Sequence, residues 1–367
     1  MFDMQQGSTN IETCPFEPLI ASDGDWAKYH AYRRSRQEED NPGEPVVPDA
    51  EFERTLRRHD PLHESRRIVA VCDGALVGNL VLEFRRDGSP GCEDFAPFVS
   101  VWGGVLRAHR RQGIGKALLA ALLSFMQRQG KTTATMKVHL PESHAFMAAI
   151  GAAQKYRSVE NRLAFDKLDW EELARWARAT KPGDGLTWEM HAGRVPLERL
   201  APLMAPFSAL INEQPLGSLE VPRMRYEVQG YLTWYEDMDR RGGEHFLVLL
   251  RHGDDVAAMC DASWDARFPD RVYQQLTAVA RPWRSKGLAK GVKAAMLNLI
   301  RARHPKVRMM ITTNAEANAP MLSINQRLGF AVYRQEGTYQ ISREALARFA
   351  AWQEKPARSL LRSLPNS

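Results

Sequence analysis

Two short stretches of the chain have the composition needed to hold a phosphate: RRQGIGKALL, which starts at Arg110, and RSKGLAKGVK, which starts at Arg284. Each places glycine just behind basic or amide residues and runs directly into an apolar pattern of helical period. The first turn of a helix carries free N–H groups and the positive end of its dipole. Glycine lets the backbone approach an anion closely, so strand, basic glycine turn and helix together form a phosphate cradle. The candidate contacts in the first copy are Arg110, Arg111, Gln112, Gly113, Ile114, Gly115 and Lys116. In the second copy they are Arg281, Arg284, Ser285, Lys286, Gly287, Leu288, Ala289 and Lys290. Other phosphate motifs fail: a Walker A loop would need Gly at position 110 and Ser or Thr at 117, where the chain has Arg110 and Ala117. A dinucleotide fingerprint would need Gly at 118, which is Leu118.

The elements around the two copies follow one order. In the first half, RIVAVCDGALVGNLVLEF reads as a hairpin turning at Asp73-Gly74. The strand FVSVWGGVL then feeds the cradle, and the helix GKALLAALLSFMQRQG, the strand TTATMKVHL, the helix SHAFMAAIG and a last strand RLAFDKL follow. The second half repeats this with the hairpin HFLVLLRHGDDVAAMCDASW, the strand VYQQLTAV, the cradle, the helix KGVKAAMLNLIRARH, the strand VRMMITT, the helix APMLSINQRLG and the strand FAVYRQ. Arg107 and Arg281, Arg110 and Arg284, Gly113 and Gly287, and Lys116 and Lys290 are each 174 positions apart. A single offset without gaps predicts two copies of one α/β fold with mixed sheets. The expected division is 1–168 for the first domain, a linker of helix and turn over 169–186, and 187–367 for the second. A net charge of +6 spread among acids, with no long basic run, points away from nucleic acid. Four scattered cysteines, no metal-like spacing, no leader-like start and no apolar run of about 18 residues lead to an expectation of a cytoplasmic protein without metal or membrane partner. Nothing in the sequence fixes the oligomeric state.

The pattern Arg/Gln-x-x-Gly-x-Gly/Ala after a strand resembles the acyl-CoA pyrophosphate loop of the GNAT superfamily of N-acyltransferases. The chain has it twice, at Arg110–Gly115 and Arg284–Ala289. The doubled arrangement, with INEQPLGSLEV and TTNAEANAPMLSINQRLGF, is similar to tandem GNAT proteins. The resemblance implies an acetyl-CoA or other acyl-CoA co-substrate and an amine acceptor. It also implies a strand that parts from its neighbour to receive the pantetheine arm, with Val105 and Val279 ending those strands. On the same ground Asn318 reaches the arm. Asn325 stands where many members carry a tyrosine that protonates the thiolate.

An amide is no general acid near neutral pH, which leaves Tyr333 or water for that task. In the first half Leu140 and Met147 replace the two asparagines. That half then binds acyl-CoA without turnover or serves as scaffold, and the second half is the expected site of acetyl transfer to a small-molecule amine. The candidate bases there are Glu227 and Asp261, near the aromatic and acidic run RYEVQGYLTWYEDMDRR, which suits a cationic, partly apolar amine. Cys260 is read as a buried structural thiol. The rival reading is a non-catalytic acyl-CoA-binding or sensing protein with two degenerate sites.

Overall fold

A computed structural model describes residues 11–179 and 185–354. The first half of the chain builds β1 (Ile11–Pro15), α1 (Asp23–Asp40), α2 (Asp49–Leu56), β2 (His63–Cys72), β3 (Ala75–Arg85), α3 (Cys92–Phe95), β4 (Phe98–Val105), α4 (Ile114–Arg128), β5 (Thr133–Val138), α5 (Pro141–Ala149), β6 (Ala153–Ala164) and α6 (Trp170–Ala179). The second half builds β7 (Leu186–Ala192), α7 (Leu197–Leu200), α8 (Met204–Ile211), α9 (Val228–Arg240), β8 (Glu244–His252), β9 (Asp255–Trp264), β10 (Arg271–Val279), α10 (Leu288–Arg303), β11 (Met309–Ala315), α11 (Ala319–Leu328), β12 (Ala331–Ser342) and α12 (Arg343–Glu354). The hairpin at Asp73-Gly74 forms as read, because both residues take the positive φ that a tight two-residue turn requires. Strand β1 is short and carries little pattern, whereas β7, LTWEMHA, was passed over although its strict apolar–polar alternation is the signal of a half-buried strand.

The chain forms two compact units. One runs to Lys155 and resumes at Gly337; the other is the contiguous Tyr156–Glu336. Strand order is β1-β2-β3-β4-β5-β12 in the first unit and β7-β8-β9-β10-β11-β6 in the second. The last strand of each half is therefore exchanged. Strand β6 crosses to β11, with Ser158–Ala164 antiparallel to Met309–Ala315, while β12 crosses to β5, with Gly337–Ser342 antiparallel to Thr133–Val138. The following helices go with them. Leu173 of α6 is buried with Val292 and Met296 of α10, and Leu346 of α12 is buried with Leu119 and Leu122 of α4.

The contiguous division expected at 168 and 187 thus differs from the units of the fold. The segment read as a linker helix is a core element of the second unit. The turn-rich residues 181–184 lie outside the described residues. The last strand of the first half starts at Ala153, nine positions before the expected Arg162.

Each sheet is mixed, since β4–β5 and β10–β11 run parallel. In the second unit α10 and α6 cover one face, burying Cys260, Ala262 and Val272; α8 and α9 cover the other, burying Leu247, Leu249 and Met259. No helix among the described residues is long and apolar enough to cross a membrane.

Candidate functional site

The two glycine turns share one backbone. Gly113 (φ 86°) and Gly287 (φ 78°) are left-handed residues at the N-caps of α4 and α10. Two positions earlier Arg111 (φ 64°) and Ser285 (φ 65°) are left-handed as well. A side chain in that region costs roughly 1–2 kcal/mol. The same strain recurs twice at the mouth of a helix, the backbone form from which successive N–H groups can build an anion concavity. Ile114 and Leu288 are buried, so their side chains anchor the helix and only their backbone faces the loop. Gly115 lies against Phe146, and Gln112 donates to the Ala108 carbonyl. In the second copy the ammonium of Lys286 sits over the Trp283 ring at 4.5 Å and that of Lys290 over Trp176 at 5.3 Å.

Behind each loop the parallel strands part. Strand β4 pairs with β5 only as far as Val101↔Met136, and β10 pairs with β11 only as far as Gln274↔Thr312. Both first strands then continue along their other neighbour to Val105 and Val279. The N–H of Ala280 donates to the Ala257 carbonyl at 2.9 Å. The alternation of an antiparallel ladder therefore turns the N–H and C=O of Val279 away from β9, toward the side where β11 has departed. The bond from Leu106 to Val77 does the same for Val105.

Arg110 and Arg284 hold these strand ends. Each donates Nε to the carbonyl of Val105 (3.0 Å) or Val279 (3.1 Å). A glutamate completes each arrangement. Glu39 accepts from the Arg107 N–H at 2.8 Å and pairs with Arg110, while Glu213 pairs with Arg281 and Arg284. Glu39 and Glu213 are themselves 174 apart, so the repeat offset applied to acids would have revealed them. The guanidinium groups of Arg110 and Arg284 thus also brace the strand end behind each loop. Arg284→Ala is expected to loosen the second cradle and weaken acyl-CoA binding by roughly tenfold, the loss of one charged hydrogen bond; calorimetric titration measures it.

The second unit has a buried polar network at the point where its strands part. Lys293 of α10 is 1 % exposed, and Asn325 of α11 equally so. Lys293 Nζ donates to Gln274 Oε1 and to Asn325 Oδ1, both at 2.8 Å, and Asn325 Nδ2 donates to Asn314 Oδ1 at 2.7 Å. Cys260 is fully buried, its Sγ 3.3 Å from Thr277 Oγ1, and burial pushes its thiol up to about 11, in keeping with a structural thiol. Sequence reasoning missed Lys293, although Met296, Leu297 and Ile300 place it on the helix's buried stripe.

Burial lowers the Lys293 ammonium to about 8 from 10.5. Below pH 8 the folded and unfolded states are both charged and the whole desolvation cost is present. Between about 8 and 10.5 the folded state sheds its proton first, so stability rises with pH, by roughly 3 kcal/mol at about 1.4 kcal/mol per unit. Lys293→Met is expected to flatten that rise in denaturant titrations across pH 7.5–10.5.

Asp261 lies on the opposite face of β9. It is 7 % exposed, with Oδ1 3.2 Å from His245 Nε2; His245 Nδ1 is 2.9 Å from the Tyr235 hydroxyl, which accepts from the Val195 N–H at 3.1 Å. Tyr231 and Trp234 pack on the same imidazole. Burial pushes the Tyr235 hydroxyl up to about 12, and burial with the Asp261 charge raises that of Tyr226. The base candidate is thus buried beside aromatic side chains, hydrogen-bonded to a histidine the sequence reading passed over.

The other candidates make different contacts. Glu227 opens α9 half-exposed, 3.6 Å from Arg225. Asn318 caps α11, its side chain accepting from the Met321 N–H. Tyr333 is 41 % exposed, with the Arg162 guanidinium 3.3 Å from its ring centroid. In the first unit Met147 is core and Leu140 precedes α5 without a cap bond. There Tyr32 donates to the Gly104 carbonyl at 2.8 Å, and Arg36 crowds Gly104 so closely that a Cβ would meet its Nη2 at 2.9 Å.

Comparison with known proteins agrees with this geometry. Residues 29–152 match the model of the acetyltransferase (GNAT) family. A search of the curated proteins finds no match. Among solved structures the chain is similar to a tandem GNAT protein from the clavulanic acid biosynthesis pathway, with 24% identity, 91% of this chain and 99% of that one covered, and a TM-score of 0.68. It is also similar to a GCN5-related N-acetyltransferase from Sphaerobacter thermophilus, with 16% identity, coverage of 91% and 96%, and a TM-score of 0.62. The chain therefore carries a GNAT-family acetyltransferase domain in its first half and has, over both halves, the fold of a tandem GNAT protein.

Proposed function

We propose that the protein is an acetyl-CoA-dependent N-acetyltransferase acting on a small amine, with catalysis in the second unit. One observation carries the reading: Val279, which ends the strand leading into the Gly287 cradle, and Asp261 lie along one strand pair, since Val279 is partnered by Ala258 and Asp261 follows three residues on. The family match falls on the first half and supports acyl-transfer chemistry without choosing between the units.

In this reading the pyrophosphate rests on the α10 N-terminus and the arm lies where β10 and β11 part. The Val279 N–H faces the thioester carbonyl as it becomes an oxyanion. Asp261, steadied by His245, takes the proton of the arriving ammonium, and the surrounding tyrosines and tryptophan suit a cationic, partly apolar acceptor. The neutral amine attacks the thioester carbon. A C–N bond forms, the C–S bond breaks, and the electron pair leaves on sulfur.

The test is release of free CoA from acetyl-CoA with a panel of amines. Asp261→Asn is expected to lower turnover by about a hundredfold or more while leaving acetyl-CoA affinity unchanged. Tight acetyl-CoA binding without CoA release, for every amine tried, would instead favour a sensing role.

A further inference from the structure

We propose that Lys293 is a positioning residue for the departing thiolate: a fixed positive charge beneath the last paired rung of β10 and β11, delivered to the cleft through Asn325. The proposal rests on the reading of the second unit as the acyl-transfer site.

Three observations carry it. First, the ammonium is bonded to Gln274, the last β10 residue paired with β11, and to Asn325, whose amide continues to Asn314 beyond that rung. The network runs from the root of the cleft into its opening. Second, its hydrogen-bond partners are amide oxygens, its ammonium otherwise faces the Phe330 ring at 5.2 Å, and no carboxylate pairs with it among the described residues. A buried cation without a counter-ion is costly, and the site suits an anion that arrives from the cleft. Third, the fold does not need it. In the first unit the last rung is Val101↔Met136, and Leu119 and Met147 stand where Lys293 and Asn325 do; all four are buried and apolar. The same architecture closes around hydrocarbon in one unit and keeps a charge in the other.

The anion that acyl transfer creates in such a cleft is the thiolate of CoA. When the C–S bond breaks, the sulfur carries the electron pair, and a fixed charge in a low dielectric lowers the energy of that state. The thiolate takes its proton from water as CoA leaves; the proton first removed from the ammonium and the one shed by the nitrogen as the amide forms both pass to solvent through Asp261, so one proton is released net. Asn325 then needs no acid function: its amide, clamped by Lys293 and Asn314, holds the sulfur's surroundings polar and immobile.

The experiment compares binding of CoA and of desulfo-CoA, which lacks the thiol, to the full chain at pH 7.5, where the Lys293 ammonium is still largely charged. Wild type is expected to prefer CoA by roughly tenfold or more and to show the ultraviolet absorbance of a bound thiolate. Lys293→Met and Lys293→Gln are expected to bind both ligands equally without that absorbance, and Lys293→Arg to retain part of the preference. Far-ultraviolet circular dichroism checks that each is folded, and Gln, which can keep one amide bond, serves if Met fails. Equal preference in wild type and neutral variants would overturn the proposal while leaving the acyl-transfer reading intact. No CoA binding to wild type would overturn both.

Discussion

Gly287→Asp is expected to abolish acyl transfer, and Gly113→Asp to leave most of it. The two positions make a matched pair. Both are left-handed N-caps, and at neither would a new Cβ meet an atom within 4 Å. Steric cost is therefore equal, and what remains is a carboxylate placed in a phosphate cradle. At about 4 Å and an effective dielectric near 20 the repulsion is on the order of 4 kcal/mol, close to a thousandfold in affinity. In the second unit that loss falls on the cradle beside Asp261 and Lys293. In the first it falls on a cleft whose root is hydrocarbon and whose strand is crowded by Arg36 and Tyr32. CoA release with each purified variant, after circular dichroism confirms folding, decides the matter. Activity lost with Gly113→Asp and kept with Gly287→Asp would move catalysis to the first unit.

A chain ended after Glu336 is expected to lose the first unit and keep the second. The cut removes the β12 residues paired with β5 and the whole of α12, and with them Tyr339, Ile341 and Leu346, all buried. At roughly 1.5–3 kcal/mol for each buried side chain the loss is about 5–9 kcal/mol, comparable to the entire stability of a domain. The residues of the second unit are untouched. Hydrogen exchange should show rapid exchange through β2–β5 and continued protection through β8–β11. Protection retained in both would show that the first unit stands without its borrowed strand.

Local features were legible in the sequence, and partner choice was not. The cradles, both hairpins and the matching order of elements follow from short-range rules of glycine placement, turn chemistry and period. That β6 pairs with β11 and not with β5 depends on strands some 150 residues apart in sequence, and no local pattern distinguishes the two outcomes. The site divides in the same way. Gly287, Asn325 and Asp261 were chosen from motif and residue type. His245, Glu213 and Lys293 acquire meaning only from what surrounds them: an imidazole behind a carboxylate, a brace for an arginine, an ammonium among amides. Arg284 was chosen by type, and its bonds to the Val279 carbonyl and Glu213 likewise show only in the fold.

The exchange of last strands also sets an order of events on the ribosome. The second unit is complete once residue 336 has emerged, whereas the first, begun earlier, must wait for residue 337 onward. From 156 to 336 is 181 residues, on the order of ten to forty seconds of synthesis at about 5–20 residues per second. Throughout that interval β5 presents an unpaired edge whose sequence, TATMKV, carries the single charge Lys137. Such an edge is a template for wrong pairing, including with the nascent β6 beside it in sequence. The half translated first is the half that folds last, and nascent chains stalled between residues 156 and 336 are where a chaperone would find it.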